Sequence, residues 1–174
     1  MEGAWPSRGS RRRPHPPPYA AGMRLLTWTF AAYLAAVLVV TLWPSPQSTD
    51  APSWATATLD FLQGLGIPIT LPVLEALANV VMFGPFGVLG VPLLRGATAR
   101  RRGAPLGVWR AAGVVTVAGC ALSVAIELTQ NLLPGRVPTV QDVVLNTAGA
   151  LLGAALVAVV LVTAARPRVA ARAR

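Results

Sequence analysis

The chain has 174 residues, 54% hydrophobic and 12% charged, with a mean hydropathy of +0.58 and a formal charge of +9. Soluble domains carry about 25% charged residues, so an apolar excess of this size requires lipid around it. Lysine is absent, His15 is the only histidine and Cys120 the only cysteine, which excludes a Ser-His-Asp triad, Schiff-base chemistry and an intrachain disulfide, and leaves no metal site or cofactor to expect.

Residues 1–23 hold Arg11-Arg12-Arg13 and Pro16-Pro17-Pro18, a composition that cannot build a core and predicts a disordered tail. Met23 offers a second start for translation. The run 25–43 is uncharged and crosses the roughly 30 Å hydrocarbon layer as a first helix. It ends at Trp43-Pro44-Ser45-Pro46 without a small-x-small cleavage site, so it reads as an uncleaved anchor. Residues 44–70 form a loop with Asp50, Asp60 and no basic residue. Within it Trp54, Thr58, Phe61, Leu62 and Leu65 fall at helical spacing after Ser53, which suits a short interfacial helix. A second spanning helix covers about 71–94, with a kink expected at Gly84-Pro85 and a further break at Pro92. After a polar loop with Arg95 and Arg100-Arg101-Arg102, a third covers about 108–133. Pro134 to Pro138 reads as a tight turn, a fourth helix covers about 140–165, and 166–174 is a short basic tail.

The expected fold is therefore all-α, an integral membrane bundle of four transmembrane helices with its domain at 24–165. The arginines flank the apolar runs, as topology signals do, which argues for a membrane and against nucleic acid. Five lie in the tail through Arg24, five between Arg95 and Arg110, four at the C-terminus, and only Arg136 on the other side. Arg-rich flanks stay in the cytoplasm, so both termini are expected inside, with Trp43 and Trp109 at opposite interfaces.

Charged groups at mid-helix cost roughly 2.5–3.5 kcal/mol on insertion scales, so those present are informative. Glu75 and Asn79 stand near the outer start of the second helix. Ser123, Glu127 and Gln130 stand near the outer end of the third, and Asp142 and Asn146 near the outer start of the fourth. Steps of three and four put each set on one face, pointing at neighbouring helices. Gly149 and Gly153 form a GxxxG pair on the same stripe as Asn146, which marks the packed face. The expectation is a polar pocket open to the outer leaflet. Asp142 follows Thr139 by three, so it serves either as part of a helix cap or as a site residue. Asn79 and Asn146 fit interhelical hydrogen bonds, and Ser123 a small interface residue. Glu75 fits a solvated position near the surface. Glu127 needs a partner, and Arg136 is offered to it or to Asp142. The shared acid-x-x-x-Asn start of the second and fourth helices suggests a two-helix repeat.

Three segments resemble the VanZ-like family of bacterial membrane proteins: Asn79-Val-Val-Met-Phe-Gly-Pro85-Phe-Gly87; Ser123-x-x-x-Glu127-Leu-x-Gln130; and Gly135-Arg136 followed by Asp142-Val-Val-x-Asn146-Thr-x-Gly149-Ala-x-x-Gly153. The resemblance covers about residues 77–161. Thr139 departs from an aspartate expected in many relatives, which leaves a cap in place but removes a third acid. The resemblance implies a protein of the bacterial cytoplasmic membrane whose namesake is linked to teicoplanin resistance. It implies no mechanism. One expectation is a non-enzymatic protein binding a polar envelope ligand, a lipid-linked cell-wall precursor or a glycopeptide, through Arg136, Glu127, Gln130, Asp142, Asn146, Asn79 and Ser123. A second is an intramembrane enzyme acting on a lipid or glycolipid with Glu127 and Asp142 as acid and base. A third is a small transporter hinged at Pro85, which would require a homo-oligomer.

Overall fold

The computed structural model describes residues 18–43, 53–133 and 139–172. Five helices follow in order: α1 (Pro18–Leu42), α2 (Ser53–Gly64), α3 (Leu71–Arg102), α4 (Val108–Gln130) and α5 (Val140–Arg172). Four of them, all but α2, are long and apolar enough to cross a membrane, as the uncharged runs predict. The tail before Pro18, the turn Pro134 to Pro138 and Arg136 within it lie outside the described residues.

The pairings fix the topology. Tyr33 of α1 meets Met82 of α3 while Met23 meets Gly96, so these helices are antiparallel. Ser123 meets Asn146 and Gly119 meets Ala150, so α4 is antiparallel to α5. Gly87 lies against Ala150 and Ala154, Gly149 against Val80, and Gly153 against Gly84, so α3 and α5 run parallel and form the most extensive seam. One end of the bundle carries the arginines of α3 and the start of α4. The other carries the ends of α1 and α4 and the starts of α3 and α5.

Small residues hold much of the interior, beside Phe83 and Val91, while many large apolar residues face outward. Ala111, Ala112, Ala150, Ala154 and Ala158 are buried, whereas Leu25, Trp28, Val81, Val117, Leu152 and Val160 face outward. In lipid there is no hydrophobic gain in hiding a leucine, and close packing of small residues holds helices together instead. A Cβ on Gly153 would strike the Gly84 carbonyl oxygen, and one on Gly149 that of Val80. Glycine is thus required for this approach. Aromatic rings fill the space on the α1 side, with Phe30 and Phe86 centroids 5.4 Å apart. The Tyr33 hydroxyl donates to the Met82 carbonyl at 2.8 Å, tying α1 to α3 one turn before Phe86.

Several boundaries differ from expectation. α3 continues through Pro85 and Pro92 without interruption and reaches Arg102, eight residues past the expected end. Proline removes one donor per site, and packed neighbours make that tolerable inside a bundle. The helix stops where Gly103 adopts φ +75°, a left-handed cap, with Arg100, Arg101 and Arg102 in the last turn against the negative end of the dipole. The connection to α4 is correspondingly short, and the Leu106 amide donates to Thr98 Oγ1 at 3.0 Å. α1 begins at Pro18, inside the segment expected to be a tail, since proline suits the first helical position. α5 likewise extends to Arg172 through most of the expected basic tail. α4 ends at Gln130 rather than 133, where the Asn131 amide bonds to the Glu127 carbonyl. The short helix anticipated after Ser53 is present as α2, with Phe61 exposed and Ala55 buried.

A polar cavity between the ends of α1, α3, α4 and α5

Four helix ends converge opposite the arginines. The first turn of α5 and the last turn of α1 leave unpaired backbone amides and carbonyls there, and polar side chains answer them. α5 starts with Thr139 as its cap: the Asp142 amide donates to Thr139 Oγ1 at 3.1 Å. In a full capping box the third residue's side chain would return to the cap's own amide. Here Glu127 of α4 takes that role from across the bundle, accepting from the Thr139 amide at 3.0 Å. The Asp142 carboxylate is released from capping and accepts from Asn79 Nδ2 of α3 at 2.6 Å. The two alternatives for Asp142 thus divide between its backbone and its side chain.

The remaining amides also pair between helices. Asn146 Nδ2 donates to Ser123 Oγ at 2.9 Å, with both residues buried. Gln130 Nε2 donates to the Thr41 carbonyl at 2.7 Å. That carbonyl belongs to the last turn of α1, where no intrahelical donor remains. Gln130 therefore caps α1 from α4. Asn146 Oδ1 is buried without a hydrogen-bond partner among the described residues.

Between these groups lies a cavity of about 550 Å³, polar along Glu75, Asn79, Glu127, Gln130, Asp142 and Asn146 and apolar along Val39, Val40, Met82 and Ile126, with Trp43 at its α1 edge. Five of the seven residues expected at a site line it. The sixth, Ser123, is fully buried behind Asn146, and the seventh, Arg136, is outside the described residues. Glu75 is exposed, as expected, yet contributes to the lining. Both acid-x-x-x-Asn starts thus open on one space.

Three contributors escaped sequence reasoning. Thr41 acts through its backbone, which no side-chain pattern reports. Trp43 reads as an interface anchor, and only the crossing of α1 brings it to the cavity. Thr139 was legible as a cap, but its amide is tied to a residue twelve positions earlier. Each depends on packing.

No curated protein and no solved structure matches the chain. The family model described as VanZ-LLP1: VanZ/LLP1 matches residues 30–161. The match takes in the second half of α1 and all of α2 besides the segments that carried the resemblance. It includes all seven site candidates. Matched over well more than half its length, the chain belongs to the VanZ-like family, as a membrane protein of four apolar helices.

Proposed function

We propose that this protein is a non-enzymatic binder of an amphiphilic envelope molecule, holding the molecule's polar head in the cavity and its apolar part along Val39, Val40 and the lipid. The carrying observation is the joining of six convergent polar side chains with an apolar wall in one space of about 550 Å³. That volume lies within the range of small-molecule sites, which are apolar overall with a few fixed polar groups. In this reading the cavity faces the outside of a bacterial cytoplasmic membrane and both termini face the cytoplasm, supported by the arginine flanks. A lipid-linked cell-wall precursor or a glycopeptide such as teicoplanin has the required combination of polar head and apolar tail. Arg136 is assigned the contact with a phosphate or carboxylate, which its planar fork suits.

Deletion of the gene, or replacement by Glu127→Gln with Asn146→Leu, is expected to change glycopeptide susceptibility and the amount of drug held at the cell surface. Unchanged values of both, together with no retention of any envelope lipid by purified protein, would overturn the reading.

A second reading draws on Glu127 and Asp142 both lining the cavity. Two acids facing one cavity are the minimum for acid/base chemistry on a bound lipid. Turnover of an envelope lipid by purified protein, abolished by Glu127→Gln, separates this enzyme from a binder; absence of turnover leaves the binder.

A further inference from the structure

The end of the bundle opposite the cavity gathers charge of the other sign, and the helix contacts fix its levels. Gly96 of α3 lies against Met23 of α1, which sets Arg95 level with Arg24. Gly90 lies against Val115 and Gly119 against Phe86, so the antiparallel register of α3 and α4 sets Arg95 level with Arg110. Val80 against Gly149 and Gly84 against Gly153 set it level with Ala164 of α5, which offers neither charge nor a side-chain acceptor. Three arginines from three helices thus stand at one level, with Arg100, Arg101 and Arg102 beyond them in the last turn of α3.

Arg24 and Arg110 are exposed, whereas Arg95 is half-buried on the stripe of α3 that carries the buried Gly87 and Val91. No hydrogen bond or ion pair joins the Arg95 side chain to a described residue, and of its three nitrogens only Nη1 is enclosed. Nε and Nη2 are therefore open to a ligand. A guanidinium stays charged at any working pH, and its planar fork matches a phosphate. The chain offers little to neutralise it. Of the six acidic residues, Glu75, Glu127 and Asp142 line the cavity at the far end, while Asp50 and Asp60 belong to the segment joining α1 to α3. Glu2 alone precedes α1, in a stretch that also holds Arg8, Arg11, Arg12 and Arg13.

We infer that Arg95, with Arg24 and Arg110 at its level, holds the phosphate of an anionic phospholipid. The site is separate from the cavity and does not rest on the function proposed for it. Depth favours a lipid over a soluble anion. All three arginines belong to spanning helices, beside the exposed rings of Trp28 and Trp109, which favour the headgroup layer. Basic positions between spanning helices at this depth suit acidic headgroups. A choline or ethanolamine head would bring its own cation against the guanidinium groups, so a head of net negative charge is preferred.

The full chain, purified in detergent, is incubated with equal phosphatidylglycerol, phosphatidylethanolamine and phosphatidylcholine and washed in about 1 M salt, where charges are screened beyond about 3 Å. Retained lipids are then counted by mass spectrometry, and a parallel arm offers soluble glycerol phosphate. Phosphatidylglycerol is expected to be retained about tenfold over phosphatidylcholine, the worth of one hydrogen bond to a charged group. Arg95→Gln should abolish that preference and Arg95→Lys should keep part of it, with both variants melting near the parent. Arg101→Gln should leave it intact, because an exposed charge is already screened at this salt. A lipid held in the cavity would not respond to Arg95→Gln. Glycerol phosphate bound with the same Arg95 dependence, in place of any lipid, overturns the membrane as the source of the phosphate. Equal retention of the three lipids, or a preference that Arg101→Gln lowers as much as Arg95→Gln does, overturns the site itself.

Discussion

The α3–α5 seam and the cavity beside it are built from the same two helices by opposite means. Along the seam, side chains are removed: Gly87, Gly149 and Gly153 let backbone meet backbone. One turn beyond it, side chains are kept and polar: Asn79, Asp142 and Asn146 project from the same helices. The contrast teaches that the first region positions the second. Asn79 reaches Asp142 at 2.6 Å only because the helices are already in contact at Val80 and Gly149. In lipid, close approach is the principal source of helix association, and the interhelical hydrogen bonds add about 0.6 kcal/mol each on average.

Breaking the seam should therefore have the largest effect. Gly153→Val drives a branched side chain into the Gly84 carbonyl and is expected to cost about 3 kcal/mol, at the upper end of overpacking penalties. The midpoint of denaturant unfolding in bicelles measures it, and a wild-type midpoint would show that the helices have room to part. Removing a polar pair next to the seam should cost less. Asn146→Leu deletes the bond to Ser123 and strands a buried hydroxyl, for an expected loss of about 1.5 kcal/mol by the same assay.

A glycine outside the seam sharpens the comparison through the opposite sign. Gly113 of α4 has open space where a Cβ would stand, so Gly113→Ala should be neutral or stabilise by up to about 1 kcal/mol from helix propensity. A clear loss there would mean that this face packs against something outside the monomer. The smallest effect is expected for Gln130→Leu, which leaves the Thr41 carbonyl without its donor and costs about 0.6 kcal/mol. Hydrogen exchange should quicken at the end of α1 while protection along the α3–α5 seam stays unchanged. Equal quickening in both places would argue that α1 is integral to the seam.

The amino acids themselves settled the number of spanning helices, because uncharged runs of this length have few other stable environments. They also marked Gly149 and Gly153 as a packing face and gathered the polar residues at one end, since spacings of three and four report a shared helix face without any partner known. Tertiary structure alone decided the partners. Asn79 to Asp142, Ser123 to Asn146, Glu127 to the Thr139 amide and Gln130 to the Thr41 carbonyl each join different helices or their ends. Periodicity along one helix holds no information about rotation relative to the next. The ends of α3 and α5 were also misjudged from composition: arginine reads as loop, yet it is a good helix former and favoured at a helix C-terminus. Local pattern thus specifies which face is polar, and the depth at which two backbones meet specifies which atoms pair.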